Sequence, residues 1–326
     1  MRVLVSTVLF SLLFIPAAAQ NTEPAASPFT YQEVMVPMRD GVHLQTVILA
    51  PSDQKGPLPI LFRRTPYGVP DKAPEKMPAN LKELAQDGYI FVIQNLRGRF
   101  KSEGVFNLSS WVDLKDPKAT NETTDAYDSI EWLVKNVSNN NGKVGLYGVS
   151  YSGLTAALPL LHPHPALKAV SEQASPADQW MNDDDHRYGA LRESYDFEYA
   201  VMEQADKNKN THFDFNTYDT YQWYLDLGPL SNINDKYLHG SIPYWNSSVD
   251  HLTTTNSGRR KRGSISFMPP PFQTSTSPDF GIRKIRGDRG RFSAMRRKAT
   301  QTIRILWSPD RGFTASGNRI KAITSA

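Results

Sequence analysis

The chain has 326 residues, of which 39% are hydrophobic and 21% charged, with a formal net charge of +4 and no cysteine. That length and composition allow one large mixed α/β domain plus something smaller, and the missing cysteines exclude disulfides, thiolate nucleophiles and cysteine metal sites. The modest net charge conceals two unlike parts: residues 256–326 hold 16 Lys and Arg against three Asp and no Glu, whereas residues 1–255 hold 21 against 30.

Met1 to Ala19 has the layout of a cleavable secretory signal, with Arg2, an apolar run from Val3 to Ile15, and Ala17-Ala18-Ala19 ahead of Gln20. The run is short for a bilayer span, so a secreted or periplasmic protein beginning at Gln20 is expected; a membrane anchor is the other reading of the same pattern. Tyr31 to Val36 and Val42 to Leu49 read as strands joined by the Arg39-Asp40-Gly41 turn, a hairpin signal, and Leu58 to Arg63 as a third strand. Pro78 to Gln86 reads as a short helix stopped by Gly88, ahead of an apolar strand from Tyr89 to Gln94.

Thr123 or Thr124 is expected to cap the next helix, whose Ala126, Ile130, Leu133, Val134 and Val137 form one apolar stripe. A buried strand, Lys143 to Tyr147, then runs into Gly148-Val149-Ser150-Tyr151-Ser152-Gly153, and Tyr151 to Leu161 has helical apolar spacing. Strand, G-x-S-x-G and helix together are the layout of a nucleophile elbow, in which a strained turn lifts the serine hydroxyl clear of the backbone. Ser150 is therefore the candidate nucleophile, and Gly148 and Gly153 are the small residues that let strand and helix approach. Leu167 to Glu172 is the strand that follows. The strand-helix-strand order implies parallel pairing, helices on both faces, and a site at the carboxyl ends of the strands.

Several segments resemble, in order, the CocE/NonD hydrolases, a group with the X-Pro dipeptidyl-peptidase and α-amino-acid ester hydrolase architecture. They are Arg39-Asp40-Gly41-Val42, Arg64-Thr65-Pro66-Tyr67-Gly68, Arg97-Gly98-Arg99 with Ser102-Glu103-Gly104, Asp125 to Leu133, Gly148 to Gly153, and His162 to Lys168. The resemblance implies an α/β-hydrolase fold in residues 20–185, the start of a helical cap in 186–255, and hydrolysis of small ester or peptide substrates; separately, no His/Asp/Glu cluster has ligand spacing, so no metal or cofactor is expected. The resemblance gives Ser150 the nucleophile's role and makes the backbone N–H of Tyr151 and the hydroxyl of Tyr67 the two oxyanion donors. Without it, Tyr67 reads as a strand-end aromatic that only packs. In Asp183-Asp184-Asp185, Asp184 matches the position that holds a substrate's α-ammonium group; taken alone, the run is an exposed acidic loop.

The sequence also departs from the group. Asn95 stands where an acid is usual, which removes a charge beside the Arg97-Gly98-Arg99 turn and puts any local ion pair there in question. In this fold the triad runs serine, acid, histidine, yet none of His162, His164, His186, His212, His239 and His251 has a triad setting, and Asp279, Asp288 and Asp310 fall in the basic segment. Neither partner of Ser150 is assigned. Tyr188 to Met202 and Asn216 to Leu227 are aromatic-rich and read as cap helices, after which the resemblance fades near His251. A C-terminal β-sandwich, also implied, has no counterpart in the sequence. Residues 256–326 carry no sustained strand or helix period. Such a segment reads as a truncated or frame-shifted continuation, or as a basic arm for an anionic partner; nucleic acid is not the expected partner. Asn107, Asn121, Asn136 and Asn246 begin N-x-S/T sequons.

Overall fold

Alternating side chains build the sheet. In the computed structural model, which describes residues 27–108, 119–176, 184–188 and 190–250 and the backbone of three short later strands, β1 (Gln32–Pro37) pairs antiparallel with β2 (His43–Leu49). The predicted hairpin turn is closed by Met38 N–H donating to Val42 O at 2.7 Å. The next strands are β3 (Leu58–Thr65), β4 (Ile90–Asn95), β5 (Asn140–Val149) and β6 (Leu167–Gln173). They lie in the order β1-β2-β4-β3-β5-β6, with β3 parallel to both β4 and β5, and β5 parallel to β6. The signal-like residues 1–19 lie outside the described residues.

Period-two alternation sends Ile60, Phe62, Ile90, Val92, Val144 and Leu146 into one core, and Leu61, Phe91 and Tyr147 into another. Helix α1 (Lys82–Asp87) brings Leu84 to the second, while α2 (Glu122–Asn136) brings Ile130 and Leu133 to the first. Full burial of each such side chain stabilises the fold by roughly 1.5–3 kcal/mol, so the sheet is held from both sides. This is an α/β-hydrolase-like mixed sheet with helices.

Local starts and stops differ from the expectation in informative ways. Asn121, not Thr123 or Thr124, caps α2: its side chain accepts from Thr123 N–H at 2.9 Å and Thr124 N–H at 3.2 Å, while Thr124 Oγ1 accepts from Asn121 N–H at 2.9 Å. The helix after Ser150 is shorter than its apolar spacing suggests. Helix α3 (Tyr151–Ala157) tightens into a 3-10 turn over Leu158–Leu161, because Pro159 has no N–H for the α ladder.

After a two-residue pair, β7 (His186–Arg187) with β8 (Ala190–Leu191), come α4 (Glu193–Gln204), α5 (Thr220–Leu227), α6 (Ser231–Ile233), which runs into a π turn, and α7 (Pro243–Asp250). Both predicted cap helices start later than expected: Tyr188 (φ 51°) and Asn216 (φ 52°) are left-handed and cannot belong to a right-handed helix, Ala190–Leu191 is paired as β8, and Asp219 caps α5 by accepting from Gln222 N–H. Phe197, Ala200, Ile233 and Trp245, all fully buried, form the cap's own core. Strands β9 (Thr274–Thr276) and β10 (Arg283–Ile285) pair with each other, and β11 (Arg304–Ile305) lies parallel beside β6. They are too short for a sequence period to register. No helix among the described residues is long and apolar enough to cross a membrane.

Candidate active site

Three adjacent parallel strands, β3, β5 and β6, end on the same edge of the sheet, and the chain turns there. Ser150 follows β5 with φ 58° and ψ −129°, a conformation that costs a non-glycine residue of order 1–3 kcal/mol and persists only where its surroundings enforce it. The enforcement is visible. Ser150 N–H donates to Gln173 O at the end of β6 (2.9 Å), and Ser150 O accepts from Gly153 N–H (2.8 Å) and Leu154 N–H (3.0 Å). A Cβ on Gly148 would stand 2.1 Å from Ser152 O, and one on Gly153 would stand 2.6 Å from Gln173 O. Both glycines are fixed by that close approach.

Ser150 and Tyr151 line a small cavity of about 10 Å³ together with Pro176, Asp184, Asp185, Tyr195 and Tyr199. That space holds roughly one water. Tyr67, just past the end of β3, reaches it from the side: its hydroxyl is 3.0 Å from the Tyr199 hydroxyl, and the Ser150 hydroxyl lies near enough to lower its pKa. Burial outweighs this and holds the Tyr67 phenol above its ordinary pKa; burial holds Tyr199 far above and Tyr195 at about 12. All three phenols are therefore protonated at neutral pH and able to donate. The amide of Tyr151 is the first of α3, at the helix's N-terminal end.

Asp184 is half-buried in this wall, with its carbonyl held by Arg192 Nη1 at 2.9 Å. Asp185 is buried and accepts from the Tyr244 hydroxyl of α7. The acidic run is thus folded into the cavity wall, not an exposed loop, at the two positions described; Asp183 lies outside the described residues. A larger cleft of about 360 Å³ within the cap, walled by Phe215, Trp223 and Tyr237, shares no lining residue with the Ser150 cavity.

Among the described residues, no histidine lines the Ser150 cavity. His164 is buried against Tyr127 with Nε2 2.8 Å from Glu131, His162 packs on the same ring, and His212 and His239 are exposed. His186 is buried in β7; His251, Asp279, Asp288 and Asp310 lie outside the described residues. No group of three potential metal ligands occurs among the described residues.

Ion pairing at the Arg97 turn, which Asn95 puts in question, is supplied by other acids. Arg97 pairs with Asp125 and Asp40, each at 2.7 Å, while Asn95 Nδ2 donates to Gln45 Oε1 at 2.8 Å. Behind them the fully buried Arg64 meets Glu122 at 2.7 Å. These acids come from the hairpin turn and the start of α2, two segments that the sheet brings together.

Residues missed by motif reasoning come from the cap. Tyr195 and Tyr199, one helical turn apart on α4, stack at 6.2 Å and face the cavity. Their spacing was the available signal, but only as members of an aromatic lid. Further along α4, Glu203 is buried 3.6 Å from Arg99, and burial raises its pKa to about 7.

The chain is similar in sequence and fold to several known proteins. A model of the X-Pro dipeptidyl-peptidase (S15 family) matches residues 40–254 and stops where the composition changes. Cocaine esterase of Rhodococcus sp. (strain MB1 Bresler) is 39% identical over 146 residues, covering 44% of this chain and 23% of that protein. An aminopeptidase from the marine sediment archaeon Thaumarchaeota archaeon superposes with a TM-score of 0.69 at 31% identity, over 82% of this chain and 44% of that one. An α-amino acid ester hydrolase does so with a TM-score of 0.68 at 29% identity, over 81% and 45%. The chain spans less than half the length of each of these relatives. With more than half of its residues matched in one continuous stretch, and with the sheet order and serine turn in place, the chain belongs to the X-Pro dipeptidyl-peptidase (S15) family.

Proposed function

We propose that this protein is a serine hydrolase of ester or amide bonds acting through an acyl-Ser150 intermediate. Ser150 Oγ attacks the carbonyl carbon and gives its proton to a base. The tetrahedral oxyanion is held by Tyr151 N–H and the Tyr67 hydroxyl; the alcohol or amine leaves with a proton, and water releases the acyl group. Asp184 holds an α-ammonium group on a compact acyl portion. The observation that carries the reading is the strained serine at the strand end, sharing one small cavity with Tyr151 and Asp184 while Tyr67 closes on it. Relatives named for an ester hydrolase, an aminopeptidase and an esterase support the same bond class.

A fluorophosphonate probe tests this directly. We expect labelling at Ser150 that disappears in Ser150→Ala, and no labelling of the folded wild type sinks the proposal. Tyr67→Phe should lower kcat about 10²–10³-fold, the worth of one oxyanion donor. Asp184→Asn should raise KM for α-amino esters and leave their des-amino analogues unaffected. Export is proposed with it: the N-terminal sequence of the exported protein should begin at Gln20.

A second reading, a catalytically incomplete hydrolase-like protein or a binding module with a basic anion-binding tail, is favoured by the lack of a histidine among the described cavity residues. Salt-dependent retention on heparin, lost on deleting residues 256–326, would support it. A strand end bearing an acid and a later histidine loop of the family's type, encoded in another frame beyond codon 255, would instead trace the unassigned partners of Ser150 to a frame error.

A further inference from the structure

The phenol of Tyr67 has a single proton, and beyond the neighbouring Ser150 hydroxyl two oxygens compete for it. One is the acyl oxygen of a substrate; the other is the Tyr199 hydroxyl, 3.0 Å away. Should Tyr67 donate to Tyr199, it could not donate to the oxyanion. Negative charge developing on the acyl oxygen resolves the competition, because the field that draws the Tyr67 proton outward also turns the Tyr199 dipole to donate into Tyr67 Oη. Hydrogen bonds aligned in series strengthen one another.

We propose that Tyr199 is a positioning residue for Tyr67: its hydroxyl donates to Tyr67 Oη while Tyr67 donates to the acyl oxygen, so a cap helix sets the strength of the oxyanion donor. The inference rests on the reading of Tyr67 as that donor. Tyr199 donation favours the charged form of Tyr67 and offsets part of the rise that burial causes. Tyr199 itself is pushed further up, so it keeps the proton it donates.

The backbone around both residues is held as such a relay requires. Arg99, buried beneath, donates from Nε to Pro66 O at 3.0 Å, beside Tyr67, and from Nη1 to the carbonyls of Glu203 (2.6 Å) and Asp206 (2.7 Å) at the end of α4. Its Nη2 reaches Asn210 Oδ1 at 2.7 Å, and Asn210 Nδ2 donates to Tyr67 O at 3.1 Å. One guanidinium thus locks the segment carrying Tyr67 to the helix carrying Tyr199, fixing their separation.

The test uses the full chain with 3-fluorotyrosine, whose phenol titrates at milder pH, and follows Tyr67 by fluorine NMR, assigned with Tyr67→Phe. Tyr199→Phe keeps the ring and removes the hydroxyl, so the Tyr67 titration should move to higher pH. Tyr195→Phe, which lines the same cavity without bonding Tyr67, should leave it near the wild-type value. Fluorophosphonate labelling of Ser150 should slow about tenfold in Tyr199→Phe, the worth of one neutral hydrogen bond, and the double variant should be no slower than Tyr67→Phe alone. An unchanged or lowered Tyr67 titration overturns the proposal, as do equal shifts in the two cap variants or losses that multiply in the double variant. No labelling of wild type defeats the Ser150 reading alone, because the titration needs no catalysis and still decides the pair.

Discussion

Gly148 shows how narrowly the Ser150 turn is built. A methyl group there would stand 2.1 Å from the Ser152 carbonyl, a distance no rotamer relieves, so Gly148→Ala should lower Tm and abolish fluorophosphonate labelling together. Glu203 makes a second residue-scale test. An unfolded Glu titrates at about 4.3, while burial holds Glu203 at about 7. Between those values the unfolded chain releases its proton and the folded one does not. The contribution of Glu203 to stability is therefore full below about pH 4.3, falls as pH rises to 7, and is flat beyond. Glu203→Gln should flatten that fall, which a comparison of Tm across pH 4 to 8 in both proteins measures; an unaltered slope would mean that Glu203 titrates normally. The sequence marks Gly148 through its motif, whereas Glu203 is one of many helical glutamates until Arg99 and the cap core surround it.

At the scale of elements, the apolar periods located every major strand and helix of the sheet domain to within a few residues, because period two and period 3.6 are local consequences of burying one face. Boundaries were less legible. Asn121 caps α2 although two threonines stand beside it, and the choice follows from where the extended chain reaches the helix (φ −158°, ψ 177°). Asn121→Ala should cost about 1 kcal/mol, read as a shift in denaturation midpoint. The same side chain begins a sequon, but it is 9% exposed and occupied by two amides. In a glycosylating host, peptide mapping should find Asn121 unmodified even where Asn107 carries a glycan.

Across the whole molecule, buried charge ties distant segments to the sheet. Arg64 on β3 and Arg97 after β4 share Asp125 of α2, with Glu122 and Asp40 completing the set. Removing one partner leaves another charge buried, so Asp125→Ala should destabilise the fold by roughly 3–5 kcal/mol, measured by urea denaturation. A loss below 1 kcal/mol would show that Arg64 and Arg97 find other partners. Asn95 misleads at this scale: the position of one absent acid said little, because three acids from elsewhere face Arg64 and Arg97.

The sequence by itself determined the elbow, the strand order's raw material and the family, since these rest on residues within a few positions of one another or on motifs kept in order. Tertiary structure alone decided what surrounds Ser150. Tyr67 and Tyr199 meet across 132 residues of chain, and Asp184 joins them only because the chain beyond β6 returns over the ends of β3 and β5. No local period encodes such a meeting; it depends on how sheet and cap pack, and packing is set by the summed burial of side chains far apart in sequence.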